Sequence, residues 1–157
     1  MTEISQDFSD MTFPYNTTTL SPEQTESVGR ALSELLLSDP SLPRFVAMYG
    51  DLGVGKTAFV RGFSAPIAPS ASVKSPTFAI VNQYGRSLYH FDMYRITDEE
   101  DLYSIGFYDY ISGNNFCIIE WSENIPYALP DKYLKVVIEK NSDSDTNSRT
   151  IRITCEK

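Results

Sequence analysis

A glycine-rich octet that ends in a lysine and a threonine carries the strongest chemical signal in this 157-residue sequence. It matches the pattern G-x-x-x-x-G-K-[ST] over residues 50–57. Glycines let the backbone turn tightly and direct its N–H groups at phosphate oxygens, and a following helix presents its positive end. The lysine reaches the β- and γ-phosphates, while the threonine hydroxyl is a ligand for Mg²⁺. We therefore predict a nucleotide-binding P-loop made of Asp51, Leu52, Gly53, Val54, Gly55, Lys56 and Thr57.

Two apolar segments of strand composition each end in an acidic residue. Residues 88–91 lead into Asp92, and residues 116–119 lead into Glu120. A P-loop enzyme needs an acid beside its metal ion, at the end of a buried strand. Either carboxylate is suited to hold a metal-bound water, and Glu120 is suited to orient the attacking water. For each of them, a helix cap or a surface salt bridge is the competing interpretation.

Missing motifs narrow the type of P-loop protein. A GTPase would normally carry D-x-x-G and N-K-x-D, and neither pattern occurs in the chain. A small-molecule kinase would normally have an arginine-rich lid, yet Arg95 is the only arginine between residues 87 and 133. Both absences favour an ATPase whose ligands are ATP and Mg²⁺.

Alternating helix and strand signals surround the octet. Ser21, Pro22 and Gln24 predict a capped helix start, and the pair at residues 39–40 predicts where that helix ends. Residues 17–19 and 141–148 have loop composition. The remaining signals predict strands at residues 11–15, 45–49, 77–83, 87–91, 116–119, 133–139 and 150–155, and helices at 56–65 and from a capping box at Thr97 to Ile105.

This order of elements predicts the fold class. Strands that alternate with helices indicate an α/β domain, and the hairpin signals indicate that its central sheet is mixed. We expect a P-loop NTPase-like three-layer sandwich over residues 11–157, preceded by a polar N-terminal tail at residues 1–10.

Charge is distributed unevenly along the chain, whose formal net charge is −8. Residues 44–86 carry five bases and one acid, whereas residues 92–131 carry nine acids and one base. A basic middle in an acidic protein suggests a local anion site, and the acidic remainder argues against an extended grip on nucleic acid. Without a signal peptide or an apolar segment of membrane-spanning length, we expect a cytoplasmic protein that does not bind membranes.

Four motifs together resemble the TsaE (YjeE) family of bacterial ATPases for tRNA threonylcarbamoyladenosine biosynthesis. They are the octet, then Lys74-Ser75-Pro76-Thr77-Phe78, then His90-Phe91-Asp92-Met93-Tyr94-Arg95, and last Ile119-Glu120-Trp121. The octet is common to P-loop proteins, but the other three in this order are specific. The likeness extends from about residue 19 to residue 130.

The resemblance implies a function and a set of partners. Family members hydrolyse ATP to support N6-threonylcarbamoyladenosine modification, next to the anticodon, by a complex of TsaD and TsaB. The chain would then meet tRNA only indirectly, through that complex. We expect weak ATPase activity from the isolated chain and stimulation by its partners, because Arg95 is the only internal arginine in a motif-like setting.

The resemblance also implies residue roles. Lys56, Asp92 and Glu120 would be catalytic, and Thr57, Asp92 and Glu120 would form the metal site. Ser75 and Thr77 would lie in a switch loop that senses the γ-phosphate, while His90 keeps a structural interpretation. Tyr94, Arg95 and Trp121 would support the site or face a partner.

One position departs from the pattern of related loops, and two other functions stay open. Ala58 stands where a second hydroxyl often follows the G-K-T motif, so one α-phosphate contact is expected to be missing. The alternatives are a nucleotide-dependent binding module with little turnover and a small nucleotide or metabolite kinase.

Overall fold

The computed structural model describes residues 11–51, 53–76, 80–142 and 145–157. Within these residues, seven strands form one sheet in the order β1-β7-β6-β2-β5-β4-β3. The predicted N-terminal tail, residues 1–10, lies outside the described residues. The strands are β1 (Tyr15–Thr19), β2 (Phe45–Tyr49), β3 (Val81–Tyr84), β4 (Leu88–Asp92), β5 (Phe116–Glu120), β6 (Tyr133–Ser142) and β7 (Asp145–Glu156).

The sheet is mixed, as the hairpin signals predict. Strand β2 pairs in parallel with both β5 and β6, and β4 pairs in parallel with β5. The outer pairs, β3 with β4, β6 with β7 and β1 with β7, are antiparallel. The carboxyl ends of β2, β4 and β5 therefore meet at one edge of the sheet, the usual ligand-binding edge of an α/β domain.

Helices cover both faces of this sheet. The helices are α1 (Pro22–Ser38), α2 (Lys56–Ile67), α3 (Glu99–Ile105) and α4 (Phe107–Ser112). One buried apolar cluster joins α1 and α2 to the sheet, and a second joins α3 and α4 to its opposite face. This arrangement confirms the predicted three-layer α/β fold. No helix among the described residues has the length and apolar character needed to span a membrane.

The cap of α1 forms where the sequence predicts it. The Ser21 side chain accepts a hydrogen bond from the Gln24 backbone N–H at 3.1 Å. The Gln24 side chain reaches back one residue further than in a standard capping box, to the N–H of Leu20 at 2.8 Å. The helix ends at Ser38, with Asp39 as its C-cap, because the residue before Pro40 is sterically disfavoured in a helix.

Two predicted elements near the chain termini are wrong. The first strand is Tyr15–Thr19 rather than residues 11–15, and residues 17–19 belong to it instead of to a loop. Threonine favours the pleated surface of a strand, and pairing with β7 overrides the polar composition of this segment. The predicted loop at residues 141–148 is likewise mostly strand, because β6 continues to Ser142 and β7 begins at Asp145.

The acidic helix begins one residue later than predicted and is followed by an unpredicted helix. Asp98, not Thr97, is the N-cap of α3, and its carboxylate accepts from the Asp101 N–H at 3.1 Å. Gly106 adopts φ 75° and ends α3, and it is also the residue from which α4 begins. Glycine permits this left-handed corner, so the chain turns into a second short helix instead of leaving as a loop.

Two glycines let α1 and α2 approach each other closely. A methyl group on Gly62 would lie 1.7 Å from the Glu26 carbonyl oxygen, and one on Gly29 would lie 2.1 Å from the Phe59 carbonyl oxygen. Both oxygen atoms belong to the backbone and not to a flexible side chain, so the clash could be removed only if the helices moved apart. The glycines thus fix the position of α2, whose first residue is Lys56.

We predict that Gly62→Ala destabilises the fold. Alanine is a better helix former than glycine by about 1 kcal/mol, so a helix without this contact would gain stability. The backbone clash opposes that gain, and overpacking costs about 1–3 kcal/mol, so we expect a net loss in the free energy of unfolding. Urea denaturation measures it. Arg61→Ala, on the exposed side of the same helix, is the control and should change stability by less than about 1 kcal/mol. A more stable Gly62→Ala protein would contradict the close packing.

Candidate nucleotide site

Two carboxylates lie side by side at the ligand-binding edge of the sheet. Asp92 is the register partner of Glu120 across the parallel strands β4 and β5. Their exposed fractions are only 7% and 4%. The Asp92 carboxylate accepts a hydrogen bond from the Tyr94 N–H at 2.9 Å, which orients it. Both predicted acids therefore belong to the ends of their strands rather than to the following loops.

The glycine-rich loop joins β2 to α2 beside these acids. Gly55 adopts φ 106° directly before α2 begins at Lys56, a conformation that other residues rarely adopt. Its carbonyl accepts the first helical hydrogen bond, from Phe59 N–H at 3.1 Å. The helix start therefore opens toward the loop, as a phosphate-binding helix terminus requires.

The loop and the acids line one cavity of about 470 Å³. Every residue that lines it belongs to the predicted site. The lining residues are Gly53, Gly55, Lys56, Thr57, Ser75, Asp92, Tyr94, Glu120 and Trp121. The structure therefore brings the predicted phosphate loop, the two acids and the supporting aromatic residues into contact with one space.

Five predicted residues are placed elsewhere or not described. Asp51 and Val54 line a neighbouring groove with Glu139 and Lys140. Arg95 is exposed beside Tyr94 and is not among the described residues that line the cavity. Leu52 and Thr77 lie outside the described residues, so Ser75 alone represents the predicted switch pair here.

Lys56 is buried in this site, where its ammonium contacts a carbonyl oxygen and an aromatic ring. Its Nζ donates to the Gly50 carbonyl oxygen at 2.7 Å and lies 3.9 Å from the centroid of the Trp121 ring. The second distance is that of a cation–π contact. Burial lowers the pKa of Lys56 below its ordinary value, while Glu120, Glu123 and Asp92 oppose this and raise it. The acids that line the cavity thus help to keep the lysine charged.

Trp121 reaches Lys56 through a strained backbone. It adopts φ 59°, which for a residue other than glycine costs on the order of 1–3 kcal/mol. Asn124 stabilises the turn that follows, because its side-chain amide donates to the Met93 and Tyr94 carbonyl oxygens at 2.9 and 3.2 Å. The Tyr94 ring packs on the indole with a centroid separation of 5.0 Å. These contacts hold the aromatic pair over one side of the cavity.

Sequence reasoning missed several residues that support the site. Arg149, on β7, donates to the Val54 carbonyl oxygen of the phosphate loop at 2.7 Å. Tyr84 and His90 lie behind Glu120, and His90 forms a hydrogen bond with it. No local signal identifies Arg149, since 95 positions separate it from Val54 in sequence. His90 was given a structural interpretation without a partner, because Glu120 lies on another strand.

The basic middle of the sequence contributes one side-chain cation to the described cavity lining. That cation is Lys56. Arg61 lies 3.8 Å from Glu26 on the exposed side of α2, and Arg44 donates to the Asn114 carbonyl oxygen near the amino end of β5. The local excess of basic residues is therefore spread over several parts of the fold.

Comparison with known proteins identifies the family. The sequence profile described as "Threonylcarbamoyl adenosine biosynthesis protein TsaE" matches residues 19–151, which is most of the chain.

The chain belongs to the TsaE family.

Individual relatives agree with this assignment. The chain is 38% identical over 120 residues to a Haemophilus influenzae protein named tRNA threonylcarbamoyladenosine biosynthesis protein TsaE, covering 74% of this chain and 76% of that one. It is 34% identical over 130 residues to the Bacillus subtilis protein of the same name, covering 81% and 78%. The crystal structure of Bacillus subtilis YdiB superposes with a TM-score of 0.72 at 28% identity, covering 95% of this chain and 90% of that one.

The donors in this TsaE-family site suit a hard divalent cation. The Thr57 side chain and the carboxylates of Asp92 and Glu120 face the same cavity and supply oxygen ligands. Within the described residues, no group of three or more His, Cys, Asp or Glu side chains forms a complete metal cage. Mg²⁺ needs no such cage, because it usually keeps several waters and takes one or two carboxylates plus phosphate oxygens. The residues present therefore fit Mg²⁺ that arrives with a nucleotide.

We predict that Lys56→Ala weakens ATP binding by about 10- to 100-fold. Hydrogen bonds to charged groups contribute about 1.5–3 kcal/mol each, and the substitution removes the buried cation beside the loop. Equilibrium titration with fluorescently labelled ATP and Mg²⁺ measures the affinity. Lys132→Ala, an exposed lysine near the amino ends of the parallel strands, is the matched control. Unchanged affinity in Lys56→Ala would rule out the octet as the phosphate site.

Proposed function

We propose that this chain is the ATPase subunit of tRNA threonylcarbamoyladenosine biosynthesis and that it binds MgATP through residues 50–57. The single observation that carries the proposal is the cavity shared by Lys56, Thr57, Asp92 and Glu120. Family membership supplies the pathway, and the site supplies the chemistry. A site with a phosphate loop, a metal-binding hydroxyl and a buried carboxylate contains the groups that ATP hydrolysis needs.

Lys56 and the loop amides would hold the phosphates. The Lys56 ammonium is already desolvated and is held by the Gly50 carbonyl oxygen and the Trp121 ring. Phosphate oxygens carry full negative charge and would replace these weaker acceptors, so the lysine would turn toward the nucleotide without crossing bulk water. Thr57, on the first turn of α2, would bind Mg²⁺, which lowers the charge repulsion around the transferred phosphoryl group.

Glu120 would orient the attacking water. It is the last residue of β5, is almost fully buried and shares a hydrogen bond with His90, so its carboxylate has little freedom to rotate. An oriented acceptor next to the γ-phosphate aligns water for an in-line attack. Asp92 would bind metal-coordinated water, since the N–H of Tyr94 already occupies part of its carboxylate.

The acidic outer surface of α3 and α4 is suited to a basic partner, which we propose to be the TsaD and TsaB complex. Helices α3 and α4 expose Glu99, Glu100 and Asp109, and Tyr94 and Tyr103 are 59% and 65% exposed. Acidic groups attract a basic surface, and exposed tyrosines supply apolar area with a polar tip. Such a partner would supply an arginine to the cavity. Among the described residues that line the cavity, the cationic side chain is that of Lys56.

We predict that Glu120→Gln lowers kcat for ATP hydrolysis by about 100-fold or more while ATP affinity stays within a few-fold. A positioned acid–base group contributes about 10²- to 10⁴-fold to the rate, and the amide cannot accept the water proton. Asp92→Asn should reduce both the rate and the Mg²⁺-dependent part of binding. Phosphate release and nucleotide titration separate the two effects.

The control for both acids is Glu123→Gln. Glu123 is exposed and lies outside the described lining of the cavity, although its charge acts on Lys56. It should keep kcat within about twofold, because an exposed charge is screened by solvent. If Asp92→Asn and Glu120→Gln hydrolyse ATP at the wild-type rate, the strand-end acids are structural.

We predict that TsaD with TsaB stimulates hydrolysis and that reversing charge on α3 and α4 reduces this stimulation. Glu100→Lys combined with Asp109→Lys is preferable to changing Asp101, because Asp101 accepts hydrogen bonds from Thr97 at the helix start. Like charges that face each other across an interface weaken it, so we expect at least a fivefold loss of stimulation at fixed partner concentration.

ATP affinity of the isolated double variant should stay at the wild-type value. Charge reversal on α1, at Glu23 and Glu34, serves as the matched control on the other face of the sheet. Steady-state phosphate release with and without partners gives the result. Rapid turnover by the isolated chain, insensitive to TsaD and TsaB, would contradict a partner-completed site.

A further inference from the structure

A buried chain of hydrogen bonds runs from the cavity to the backbone of the segment that carries Ser75. The Glu120 carboxylate contacts His90 Nε2 at 2.5 Å, and His90 Nδ1 contacts the Tyr84 hydroxyl at 3.0 Å. The Tyr84 hydroxyl in turn donates to the Lys74 carbonyl oxygen at 3.0 Å and accepts from the Lys74 N–H at 3.3 Å. The side chains of His90 and Tyr84 therefore connect Glu120, at the end of β5, to the residue before Ser75.

The side chains that form this series of hydrogen bonds have little contact with solvent that could replace a lost partner. His90 is completely buried, and the exposed fractions of Tyr84 and Glu120 are 5% and 4%. A buried polar group that loses its hydrogen bond costs about 1–3 kcal/mol, so each member constrains the next. A movement at either end therefore has an energetic consequence at the other.

The single proton of the Tyr84 hydroxyl couples Lys74 to His90 and Glu120. The hydroxyl has one proton and two acceptors within reach, the Lys74 carbonyl oxygen and His90 Nδ1. When His90 donates through Nε2 to Glu120, its neutral ring offers Nδ1 as an acceptor for that same proton. The attachment of Lys74 and the attachment of the imidazole thus compete for one hydrogen atom.

A second backbone connection ties the same segment to the other acid. The Ile80 N–H donates to the Pro76 carbonyl oxygen at 2.7 Å, and the Ile80 carbonyl accepts from the Asp92 N–H at 2.8 Å. Ile80 has φ 67°, an uncommon conformation for a β-branched residue. Both acids of the cavity are therefore linked to the segment around Ser75, one through side chains and the other through the backbone.

We propose that Tyr84 and His90 are positioning residues that couple the backbone at Lys74 and Ser75 to the orientation of the Glu120 carboxylate. Ser75 lines the cavity, so a phosphate that contacts it displaces the segment to which Tyr84 is attached. The kinetic consequence of this coupling rests on the proposed hydrolysis, but the coupling itself is a property of the free protein. Through this coupling, the alignment of the attacking water by Glu120 depends on whether a phosphate contacts Ser75 on the opposite side of the cavity.

The kinetic test uses Tyr84→Phe, which keeps the ring and removes the hydroxyl. We expect kcat to fall about threefold to tenfold, the value of one hydrogen bond, with KM for ATP unchanged within about twofold. In a Glu120→Gln background, Tyr84→Phe should have no further effect, because its action passes through Glu120. Tyr89→Phe, on the neighbouring strand, is the matched control and should keep wild-type kinetics.

His90→Gln distinguishes the complete chain from a simple partner for Glu120. Its amide nitrogen can take the place of Nε2 and still donate to Glu120, but it offers no second nitrogen toward Tyr84. The proposal expects His90→Gln to lose activity to the same extent as Tyr84→Phe. Full activity in His90→Gln would show that only the contact with Glu120 matters and would overturn the proposal.

Amide hydrogen exchange at Lys74 tests the coupling without hydrolysis. Tyr84→Phe removes the attachment of Lys74, and we expect Lys74 exchange in the free protein to rise about threefold to tenfold. Glu120→Ala removes the acceptor of His90 Nε2 and lets the neutral ring donate through Nδ1 to Tyr84, so the hydroxyl proton stays with the Lys74 carbonyl oxygen and Lys74 exchange should fall below the wild-type value. Tyr89→Phe should leave it unchanged. Wild-type exchange in Glu120→Ala, or multiplicative kinetic losses in the double variant, would overturn the coupling. If the wild-type protein hydrolyses no ATP with its partners, the proposed function fails, whereas the exchange result still decides the coupling.

Discussion

Parallel pairing of β4 with β5 brings two buried carboxylates to one edge of the sheet, and a buried lysine lines the same cavity. Removing an ion from water costs several kcal/mol even after the protein relaxes, so such charges persist only where partners compensate them. Asp92 and Glu120 receive hydrogen bonds, and Lys56 has a carbonyl oxygen and an aromatic face. This charge arrangement requires α2 to start beside β4 and β5.

The position of α2 is in turn set by its packing on α1. Gly29 and Gly62 remove the side-chain atoms that would hold the two helices apart, and the octet then enters α2 through the left-handed Gly55. The strained Trp121 backbone fits the same picture, since its ring contacts the ammonium from that conformation. Local strain is retained because the surrounding contacts specify it.

Local sequence signals were sufficient for several features that depend on neighbouring residues. Ser21 caps α1, and Phe45–Tyr49 is the strand that precedes the octet, as predicted. Features that depend on distant partners could not be read from the chain. Pairing with β7 turned three polar threonines into a strand, and the contacts of His90 and Arg149 cross 30 and 95 positions. The strand-end acids were an exception, because parallel strands share one edge.

The two sides of the cavity are held in different ways. Arg149 from β7 fixes the Val54 carbonyl of the phosphate loop, and the backbone at Ile138 leaves no room for a side chain at residue 50. That side is supported by the sheet itself. The side that carries Ser75 is attached to the same sheet through the Tyr84 hydroxyl and the backbone of Ile80. A ligand that contacts both sides therefore bridges a loop held from β7 and a segment held from β3 and β4.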